Sequence, residues 1–389
     1  MKIGLVLPSV PAYSETFFNN KIKGLQQHGH EVLLFVNQKT SPNYYSNCKI
    51  IQAPQLGGSK LGVVRVSFFQ VLRAVFINPK KSYKLYHLNQ QDGLSLKANC
   101  KQIIANQFLL RKSIDWLHFG YGTMALGREN VAEVIKAQMA VSFRGFDHYV
   151  YPNKNPDCYK ILFSKKVHYH VLSEGMKKRL IQHNISPMCI HKITPAIDIN
   201  QFKYLKINKK DVLQFTTTAR LHWIKGLEYT LEALALLKQN KVEFYYNIIG
   251  EGVEFERLKF ACHQLNLTKE VRFVGKLSPE KVREVLTQTD VYIQYSLQEG
   301  FCNAVLEAQA MGLLCVVSDA EGLSENVIDN HTGWVVPKRN AQLLAQKIKE
   351  VITLSEEEQQ KIRENARERI QKEFNLPKQQ QEFINFYKS

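Results

Sequence analysis

The chain of 389 residues is predicted to be an α/β protein with two doubly wound domains. In both halves, short apolar runs alternate with amphipathic helical patterns, and this alternation favours parallel strands joined by right-handed crossovers. The length also exceeds what a single small core usually holds, so two domains are expected. A polar stretch rich in Lys and Asn, at residues 194–211, is predicted to join them.

The first half contains five predicted strands. In chain order they are KIGLVLP, EVLLFV, IDWLHFG, AQMAVSF and KVHYHVLS. The first run predicts a strand and not a signal peptide, because polar residues follow it without a small-residue cleavage site. The helical pattern ETFFNNKIKGLQQHG comes next and is predicted to end at Gly29.

The second half repeats this arrangement and adds a helical tail. Its predicted strands are VLQFTTTAR, EFYYNIIGEG, VRFVGKL, DVYIQYS and LLCVVSD, with helices such as GLEYTLEALALLKQ and PEKVREVLTQ between them. The predicted domains are residues 1–200 and 201–370, and the tail at 371–389 is expected to pack back on the first domain. We expect the strand ends of both domains to face one central cleft, a usual place for ligands.

Charge is distributed unevenly along the chain. Residues 1–200 contain 26 Lys and Arg against 10 Asp and Glu, so almost all of the net charge of +17 lies there. Such a basic half suggests a polyanionic partner. No basic and aromatic nucleic-acid module is recognisable, so an anionic membrane surface is the preferred partner and nucleic acid is not. A basic surface that only keeps the protein soluble is the alternative.

The apolar stretch 61–77 is the longest in the chain with few charges. It carries Arg65 and Arg73, which are costly in a bilayer core, so it predicts a buried or surface-docking helix. The seven cysteines form no Cys-x-x-Cys pair. Their spacing favours reduced thiols in a cytoplasm over a disulfide framework or a zinc site.

Two cations follow the first strand of the second half. Arg220 and Lys225 in TARLHWIKG suit a diphosphate, because Arg chelates two oxygens and Lys supplies a mobile charge. Ordinary surface cations are the alternative. Gly250 and Gly252 follow the next strand, but Phe255 stands where a dinucleotide fingerprint has its third glycine. This motif is therefore a weak indication of NAD, and a simple strand-to-helix turn explains it equally well.

The stretch QEGFCNAVLE places two carboxylates eight positions apart, Glu299 before a predicted helix and Glu307 one turn inside it. Backbone N–H groups at Gly300, Phe301 and Asn303 are expected at the helix N-terminus, which attracts anions. Carboxylates beside a diphosphate suit the hydroxyls of a sugar and a ribose, because each accepts several hydrogen bonds. A solvated surface helix is the alternative.

These residues carry a resemblance to a known family. The segments ARLHWIKGLEYTLEAL, NIIGEG, VRFVGKL and EGFCNAVLEAQAMGLLCVVSDAEGLSENV resemble the donor half of family 4 retaining glycosyltransferases of the GT-B fold. HTGWVVP continues the resemblance, and WLHFG, VSFRGFD and VHYHVLSEGMKKRL extend it into the first half. SETF and SFRGFD are similar to bacterial enzymes of capsular, exopolysaccharide and colanic-acid-type synthesis.

The resemblance implies roles for particular residues. Arg220 and Lys225 would bind the donor diphosphate, Glu299 the transferred sugar and Glu307 the ribose. The same resemblance assigns contacts with the base to backbone groups near Gly275 and Lys276, and it makes Gly250 and Cys302 part of the donor loops.

The first half departs from the family pattern. Arg144 stands where the family often has His, so it keeps a polar contact but cannot act as a base. Asp147 is a candidate assistant in catalysis, and a structural turn role is the alternative.

The resemblance implies a metal-independent hexosyltransferase that moves a sugar from a UDP- or GDP-sugar to a glycan or lipid-linked acceptor in cell-surface polysaccharide synthesis. No Asp-x-Asp motif for a divalent metal occurs, and no other cofactor is expected. The enzyme is expected in the cytoplasm, peripheral on the inner face of the membrane. Other GT-B enzymes such as an epimerase or a phosphorylase, an NAD-dependent oxidoreductase, and a non-catalytic membrane-associated protein are the alternatives.

Overall fold

The computed structural model describes residues 1–11, 16–38, 48–54, 60–202, 204 and 212–389. The chain forms two compact units. The first unit consists of Met1–Val171, Met176–Ile193 and Gln380–Ser389. The second consists of Leu172–Gly175 and Thr194–Gln379. The change from one unit to the other at Ile193 lies shortly before position 200, and the last ten residues return to the first unit.

Each unit contains one parallel sheet. The strands, in chain order, are β1 Lys2–Ser9, β2 Glu31–Gln38, β3 Lys49–Gln52, β4 Trp116–Phe119, β5 Gln138–Ser142, β6 His168–Val171, β7 Ile190–Lys192, β8 Leu213–Thr218, β9 Phe244–Ile249, β10 Val271–Gly275, β11 Val291–Gln294, β12 Leu314–Ser318 and β13 Trp334–Val336. Within the described residues, the first sheet has the order β3-β2-β1-β4-β5-β6-β7 and the second β10-β9-β8-β11-β12-β13. Both orders reverse direction beside their first strand, which is typical of a doubly wound fold.

Helices cross over between successive strands. In chain order they are α1 Thr16–Gln27, α2 Lys60–Leu72, α3 Pro79–Gln91, α4 Leu96–Leu110, α5 Gly122–Ala125, α6 Val131–Ile135, α7 Tyr151–Lys154, α8 Lys160–Phe163, α9 Glu174–Gln182, α10 Leu227–Gln239, α11 Phe255–Gln264, α12 Pro279–Leu286, α13 Asn303–Ala310, α14 Leu323–Asn326, α15 Ala341–Thr353, α16 Glu356–Glu373 and α17 Leu376–Lys388. Short π-helical segments follow α2 and precede α7, at Arg73–Ile77 and Phe146–Val150.

The central strands are nearly continuous apolar runs, such as β1 and β2, because helices cover both faces of a parallel sheet. The central strand β1 pairs with β2 and β4, and the central strand β8 pairs with β9 and β11, all in parallel register. The strands that the sequence predicts are therefore present in the described chain. Three further strands, β3, β7 and β13, are too short and too weakly apolar to stand out in the sequence.

The C-terminal end of α17 packs against the first sheet. Phe383, Phe386 and Tyr387 are buried in the same apolar cluster as β1 and β2. The indole N–H of Trp116 donates to the carbonyl oxygen of Tyr387 at 3.1 Å. The end of the chain thus supplies part of the core of the first unit, although it follows the whole second unit in sequence.

The apolar stretch 61–77 forms α2 and the π-helical segment after it. Where its side chains are described, several large apolar ones are exposed, including Phe68, Phe69 and Phe76. The stretch is therefore not a buried helix throughout. Side chains 61–65, with Arg65 among them, lie outside the described part, as do residues 203 and 205–211 of the predicted join. No described helix has both the length and the apolar character needed to cross a bilayer.

Candidate functional site

The loops after β8 and β11 meet at the carboxyl edge of the second sheet. Lys225 ends a short 3₁₀ turn, Trp223–Lys225, that is closed by Gly226 in the left-handed region at φ 60°. The amide of Leu297 donates to the carbonyl oxygen of Ile224 at 2.7 Å and ties the two loops together. A Cβ on Gly226 would lie 2.2 Å from the carbonyl oxygen of Tyr295, so glycine permits this close approach.

Lys225 and Glu299 form an ion pair with little exposure to solvent. The Nζ atom of Lys225 contacts Oε2 of Glu299, and the two side chains are 13% and 14% exposed. The hydroxyl of Ser296 donates to the same carboxylate oxygen at 3.3 Å. Burial is the largest single influence and lowers the pKa of Lys225, but the charge and hydrogen bond of Glu299 and the nearby Cys302 together outweigh it, so the net pKa lies above its ordinary value. Lys225 is therefore a cation at neutral pH.

Arg220 adds a second positive charge beside this pair. It follows β8 by two residues, and its side chain is exposed. The charge of Arg220 acts on Lys225 and disfavours the protonated amine, which indicates that the two cations lie near each other. Two neighbouring cations, one exposed and one held by a carboxylate, form a suitable site for an anion with several oxygens.

The loop that begins α13 is held by Asn326. The Asn326 side-chain oxygen accepts from the amide of Cys302 at 3.0 Å, and its NH₂ group donates to the Cys302 carbonyl at 3.1 Å. The amide of Gly322 donates to the carbonyl oxygen of Glu299 at 3.1 Å. These bonds fix the backbone of Gly300 and Phe301, and the Phe301 ring lies 5.6 Å from the ring of Phe374.

Among the described residues, no side chain at the N-cap position caps the N-terminus of α13. Cys302 occupies the N-cap position and makes no capping hydrogen bond through its side chain, and Asn303 begins the helix. The helix N-terminus carries partial positive charge from its first N–H groups. An anionic group of a ligand placed there would find donors and a favourable dipole.

Glu307 lies one turn inside α13. Burial raises the pKa of its carboxyl to about 7, and the charge of Arg283 counteracts this only in part. The group is thus close to half ionised at neutral pH. A ligand hydroxyl that donates to the carboxylate would favour the ionised form, because hydrogen bonds to the charged form lower the pKa.

Gly250 and Gly275 bring three strand ends close together. The amide of Gly250 donates to the carbonyl oxygen of Gly275 at 2.9 Å. A Cβ on Gly250 would lie 1.9 Å from the carbonyl oxygen of Ala219, and one on Gly252 would lie 2.2 Å from that of Leu221. These glycines therefore permit close backbone packing at the strand ends. Lys276 is exposed after β10.

Arg144 and Asp147 lie in the first unit. The guanidinium of Arg144 is 3.7 Å from the centre of the Phe17 ring, and its Nε donates to the carbonyl oxygen of Gly120 at 3.4 Å. Oδ1 of Asp147 accepts from the amide and the hydroxyl of Thr123 at 3.2 and 2.9 Å. Burial raises the pKa of the Asp147 carboxyl, and the bonds from Thr123 oppose that shift.

The structure thus gathers Arg220, Lys225 and Glu299 in the second unit. Sequence reasoning did not identify Asn326 or Ser296, which hold the loop and the carboxylate in place. Asn326 lies within the quoted segment ending SENV, but its role appears only when the helix that contains it packs beside Cys302. The sequence around a buried Asn in a polar turn does not indicate which residue its side chain will bind.

A search of family models matches residues 198–369 to the glycosyl transferases group 1 model. This segment contains β8 to β13 and the whole arrangement around Lys225, Glu299 and Glu307. The matched region therefore lies within the second unit, where the candidate donor residues are.

Curated relatives are similar along much of the chain. One is named as a colanic acid biosynthesis glycosyltransferase, WcaL of Escherichia coli strain K12, which is 28% identical over 96% of both chains. Another is the amylovoran biosynthesis glycosyltransferase AmsK of Erwinia amylovora, which is 28% identical over 67% of both chains.

Among solved structures, HepE of Anabaena in complex with UDP and glucose is similar in fold. It superposes with a TM-score of 0.73 at 14% identity, covering 99% of this chain and 98% of HepE. At this identity the likeness shows the fold alone, and it confirms the predicted GT-B architecture of two Rossmann-like sheets.

Proposed function

We propose that this chain, a glycosyltransferase with a glycosyl transferases group 1 domain at residues 198–369, retains the anomeric configuration of the sugar it transfers. The donor is a UDP- or GDP-sugar. The observation that carries the proposal is the Lys225–Glu299 pair, because it places a cation for a diphosphate directly beside a carboxylate for sugar hydroxyls.

In the proposed donor complex, Lys225 and Arg220 bind the diphosphate, and the N-terminus of α13 adds backbone donors. Glu307 accepts hydrogen bonds from the ribose hydroxyls, and backbone groups near Gly275 and Lys276 contact the base. When Lys225 turns to the phosphates, Glu299 is released from its cation and accepts from the sugar hydroxyls. This exchange avoids leaving either buried charge without a partner, which would be costly.

The proposed reaction exchanges one glycosidic bond for another. The bond between the anomeric carbon and the diphosphate oxygen breaks, and the electron pair leaves with the nucleoside diphosphate. The acceptor oxygen attacks from the same face, and its proton passes to a phosphate oxygen of the leaving group. Lys225 and Arg220 stabilise the charge that develops on the diphosphate, a large contribution in many enzymes.

Donor binding can be tested by thermal shift with UDP, GDP and a panel of their sugars, because a ligand that binds only the folded state raises the melting temperature. Arg220→Ala and Glu307→Ala should each weaken nucleotide diphosphate binding by about 1–3 kcal/mol through lost hydrogen bonds. Lys241→Ala, at an exposed position between α10 and β9, serves as a control that also removes a cation. Unchanged nucleotide affinity in both test variants would refute the assignment.

The proposed reaction needs no divalent metal. The motivation is the missing Asp-x-Asp motif together with the two cations beside the proposed diphosphate position. Turnover should persist when the enzyme is dialysed against EDTA and assayed in its presence. Loss of turnover in EDTA that is restored by Mg²⁺ or Mn²⁺ would contradict the proposal.

The proposed acceptor is a glycan or a lipid-linked sugar in cell-surface polysaccharide synthesis. The names of the two relatives, for colanic acid and amylovoran biosynthesis, support this class of product. Transfer to an acceptor would also separate this activity from a sugar-nucleotide epimerase, which converts its donor without one. Assays with and without membrane extracts as the acceptor source would distinguish the two.

The proposed location is the inner face of the cytoplasmic membrane, reached through α2 and the segment after it. Phe68 is 58% exposed, Val75 55% and Phe76 75%, so they form an apolar surface in the first unit. Lys80 is exposed immediately after this segment. Apolar side chains that enter the interface and basic residues worth about 1 kcal/mol each near anionic lipid together support reversible attachment.

Vesicle co-sedimentation tests this location. The protein should bind phosphatidylglycerol vesicles at low salt and dissociate as salt rises, because screening shortens the reach of its charges. Phe76→Asp should weaken binding severalfold. Phe260→Asp is the matched control, because Phe260 is a phenylalanine of the second unit that is 62% exposed. Equal effects of the two variants, or no vesicle binding at low salt, would contradict the membrane proposal.

A further inference from the structure

One face of β11 carries polar side chains in the middle of the second sheet. Tyr292 and Gln294 share this face, because every second residue of a strand points to the same side. Both side chains are fully buried. The opposite face is apolar, and its residues Val291 and Ile293 belong to the hydrophobic core of the second unit. Strands inside a parallel sheet are normally apolar on both faces, so the polar groups here need buried partners.

These side chains belong to an unbroken row of hydrogen bonds that ends at Glu299. The amide N–H of Thr218, at the end of β8, donates to the Tyr292 hydroxyl at 3.1 Å. The Tyr292 hydroxyl donates to Oε1 of Gln294 at 3.1 Å, and the Gln294 NH₂ group donates to the Ser296 hydroxyl at 3.0 Å. The Ser296 hydroxyl donates to Oε2 of Glu299 at 3.3 Å. We call these five residues the β11 network.

The β11 network can be satisfied in only one direction. A carboxylate accepts and cannot donate, so Ser296 gives its single hydroxyl hydrogen to Glu299. The Ser296 oxygen then accepts from the NH₂ group of Gln294, which turns the amide oxygen toward Tyr292. At the other end, the backbone N–H of Thr218 can only donate. The two ends therefore fix the direction of every hydrogen bond between them.

Gln294 joins the two halves of the network, because it accepts from Tyr292 and donates to Ser296. Burial raises the pKa of the Tyr292 phenol, so this hydroxyl keeps its proton and remains a donor. A second acceptor for it, the carbonyl oxygen of Thr218, lies farther away at 3.4 Å. An apolar side chain in place of Gln294 would therefore break the row at its centre.

We propose that Gln294 is a positioning residue: through Ser296 it holds Glu299 in the orientation that accepts from the hydroxyls of the transferred sugar. The inference rests on the proposed function, in which Lys225 leaves Glu299 for the diphosphate of the donor. The hydrogen bond from Ser296 then stays with Oε2, and the aligned donors behind it stabilise the carboxylate. The other carboxylate oxygen, Oε1, remains for the sugar.

Gln294→Met tests the proposal with an apolar side chain of similar length. The probes are UDP-glucose, UDP-galactose, UDP-N-acetylglucosamine, GDP-mannose and GDP-fucose, with membrane extract as the acceptor source. For the nucleotide sugar that the parent protein turns over fastest, kcat of the variant should fall about fivefold, the effect of one neutral hydrogen bond. Affinity for bare UDP or GDP, measured by calorimetry, should stay unchanged.

Gln309→Met is the matched control. Gln309 is also a buried glutamine of the second unit, and its NH₂ group donates to the carbonyl oxygen of Thr332 at 2.9 Å, outside the β11 network. This variant should keep both kcat and nucleotide affinity. An equal loss of kcat in the two variants would show that any buried glutamine matters in the same way, and it would refute the specific role of Gln294.

A double-mutant cycle shows whether Gln294 acts through Glu299. In the Glu299→Gln background, Gln294→Met should change kcat by less than about twofold, because the group that Gln294 positions is already altered. A fivefold loss in both backgrounds would show that Gln294 acts by another route, and it would overturn the proposal.

Gln294→Glu is the conservative variant. A protonated carboxyl has one donor and one acceptor, so it can replace the amide between Tyr292 and Ser296, whereas an ionised carboxylate cannot donate. Burial and the charge of Glu299 should raise the pKa of the introduced group and keep it protonated at pH 6. Relative to the parent at the same pH, kcat should be near normal at pH 6 and fall by pH 8.5. This comparison still decides if Gln294→Met does not fold, and an equal ratio at both pH values would contradict the proposal.

Failure of this inference and failure of the proposed function give different results. If Glu299→Gln lowers turnover and Gln294→Met does not, the positioning role is wrong and the proposed donor site stands. If Glu299→Gln keeps full turnover, or if the parent protein turns over none of the probes, the proposed role of Glu299 fails and this inference fails with it.

Discussion

The surroundings of Glu299 and Glu307, beside the second sheet, explain why these two carboxylates behave differently. Glu299 is neutralised by Lys225, whereas Glu307 lies in a more apolar environment that raises its pKa to about 7. The Glu299 carboxylate can therefore accept hydrogen bonds from a ligand only when Lys225 moves away. The Glu307 carboxyl becomes more fully ionised when a hydrogen-bond donor approaches it. Both are suited to binding hydroxyls, but they respond differently to substitution and to pH.

Replacing Glu299 with Gln should separate turnover from nucleotide binding. The neutral amide cannot compete for Lys225, so affinity for the bare nucleoside diphosphate should stay equal or increase. Turnover of the nucleotide sugar should fall at least tenfold, because the sugar loses a charged hydrogen-bond acceptor worth about 1.5–3 kcal/mol. Calorimetric UDP binding and steady-state assays measure the two effects. A parallel loss of both would show that Glu299 holds the site together and does not select the sugar.

Glu307→Gln should change stability in a pH-dependent way. The pKa of Glu307 rises from 4.5 in the unfolded chain to about 7 in the folded state, so its favourable contribution is complete below pH 4.5 and is lost as pH rises through 7. The variant should therefore be more stable than the parent at pH 8, by about 1–2 kcal/mol, and the difference should shrink at pH 5.5. Urea unfolding at the two pH values measures it.

The same carboxyl links donor binding to protons. In the proposed donor complex the ribose hydroxyls bind the ionised form of Glu307, so UDP affinity of the parent protein should rise between pH 6 and pH 8, with proton release near pH 7. Calorimetry in buffers of different ionisation enthalpy detects the released protons. In Glu307→Gln the release should disappear. Proton release that persists in this variant would assign the effect to another group.

At the scale of elements, the proposed donor site depends on loops whose backbones approach one another too closely to leave room for side chains. Gly226 and Gly250 adopt positive φ angles, and a Cβ on either would meet a backbone carbonyl of a neighbouring loop at 2.2 or 1.9 Å. Asn326 then holds the start of α13 from the side through two hydrogen bonds to Cys302. Close backbone packing and a buried amide thus position Lys225 and Glu299.

Gly226→Ala should destabilise the second unit by about 2–3 kcal/mol, because it combines left-handed strain with a backbone clash. Gly29→Ala is the matched control. Gly29 has a similar φ of 77°, but nothing lies within 4 Å of its added Cβ. The control should cost only the conformational strain of about 1 kcal/mol. Thermal unfolding of both variants measures the difference, and equal losses would show that the contact with Tyr295 is unimportant.

At the scale of the whole molecule, the chain closes its first unit with its last residues. Phe383, Phe386 and Tyr387 are each at most 5% exposed, and the hydroxyl of Tyr387 hydrogen-bonds Nδ1 of His118 at 2.6 Å. Nζ of Lys21 lies 3.2 Å from the same His118 nitrogen, so a buried polar cluster lies beneath the helix. The first unit therefore cannot complete its core until the second has been synthesised.

Truncation after Gln379 should uncover this core. Each buried aromatic residue contributes about 1.5–3 kcal/mol, which together is a large part of the stability of a domain. The amides of β4 should then exchange hydrogen much faster. Truncation after Tyr387, which removes the exposed Lys388 and Ser389, is the control and should leave exchange unchanged. Slow exchange in the longer deletion would show that α17 is dispensable.

The sequence by itself determined the alternation of strands and helices and the fold class of two Rossmann-like sheets, and it supplied the residue types of the proposed donor site. These features follow from local patterns, because the spacing of apolar residues and the identity of the residues after each strand can be read directly from the sequence. The same patterns could not reveal β3, β7 and β13, which are short strands at the edges of the described sheets. Their strand conformation depends on pairing with one neighbouring strand.

Only the tertiary structure decided which side chains lie next to one another. The sequence does not show that Lys225 neutralises Glu299, that Asn326 holds Cys302, or that Asp147 and His148 line one cavity. These relations join residues far apart in the chain, and burial and hydrogen bonding depend on how the strand ends and helices pack. The physical reason is that the charge state and the hydrogen-bond partners of a residue depend on its surroundings in the fold, whereas its chemical type is given by the sequence.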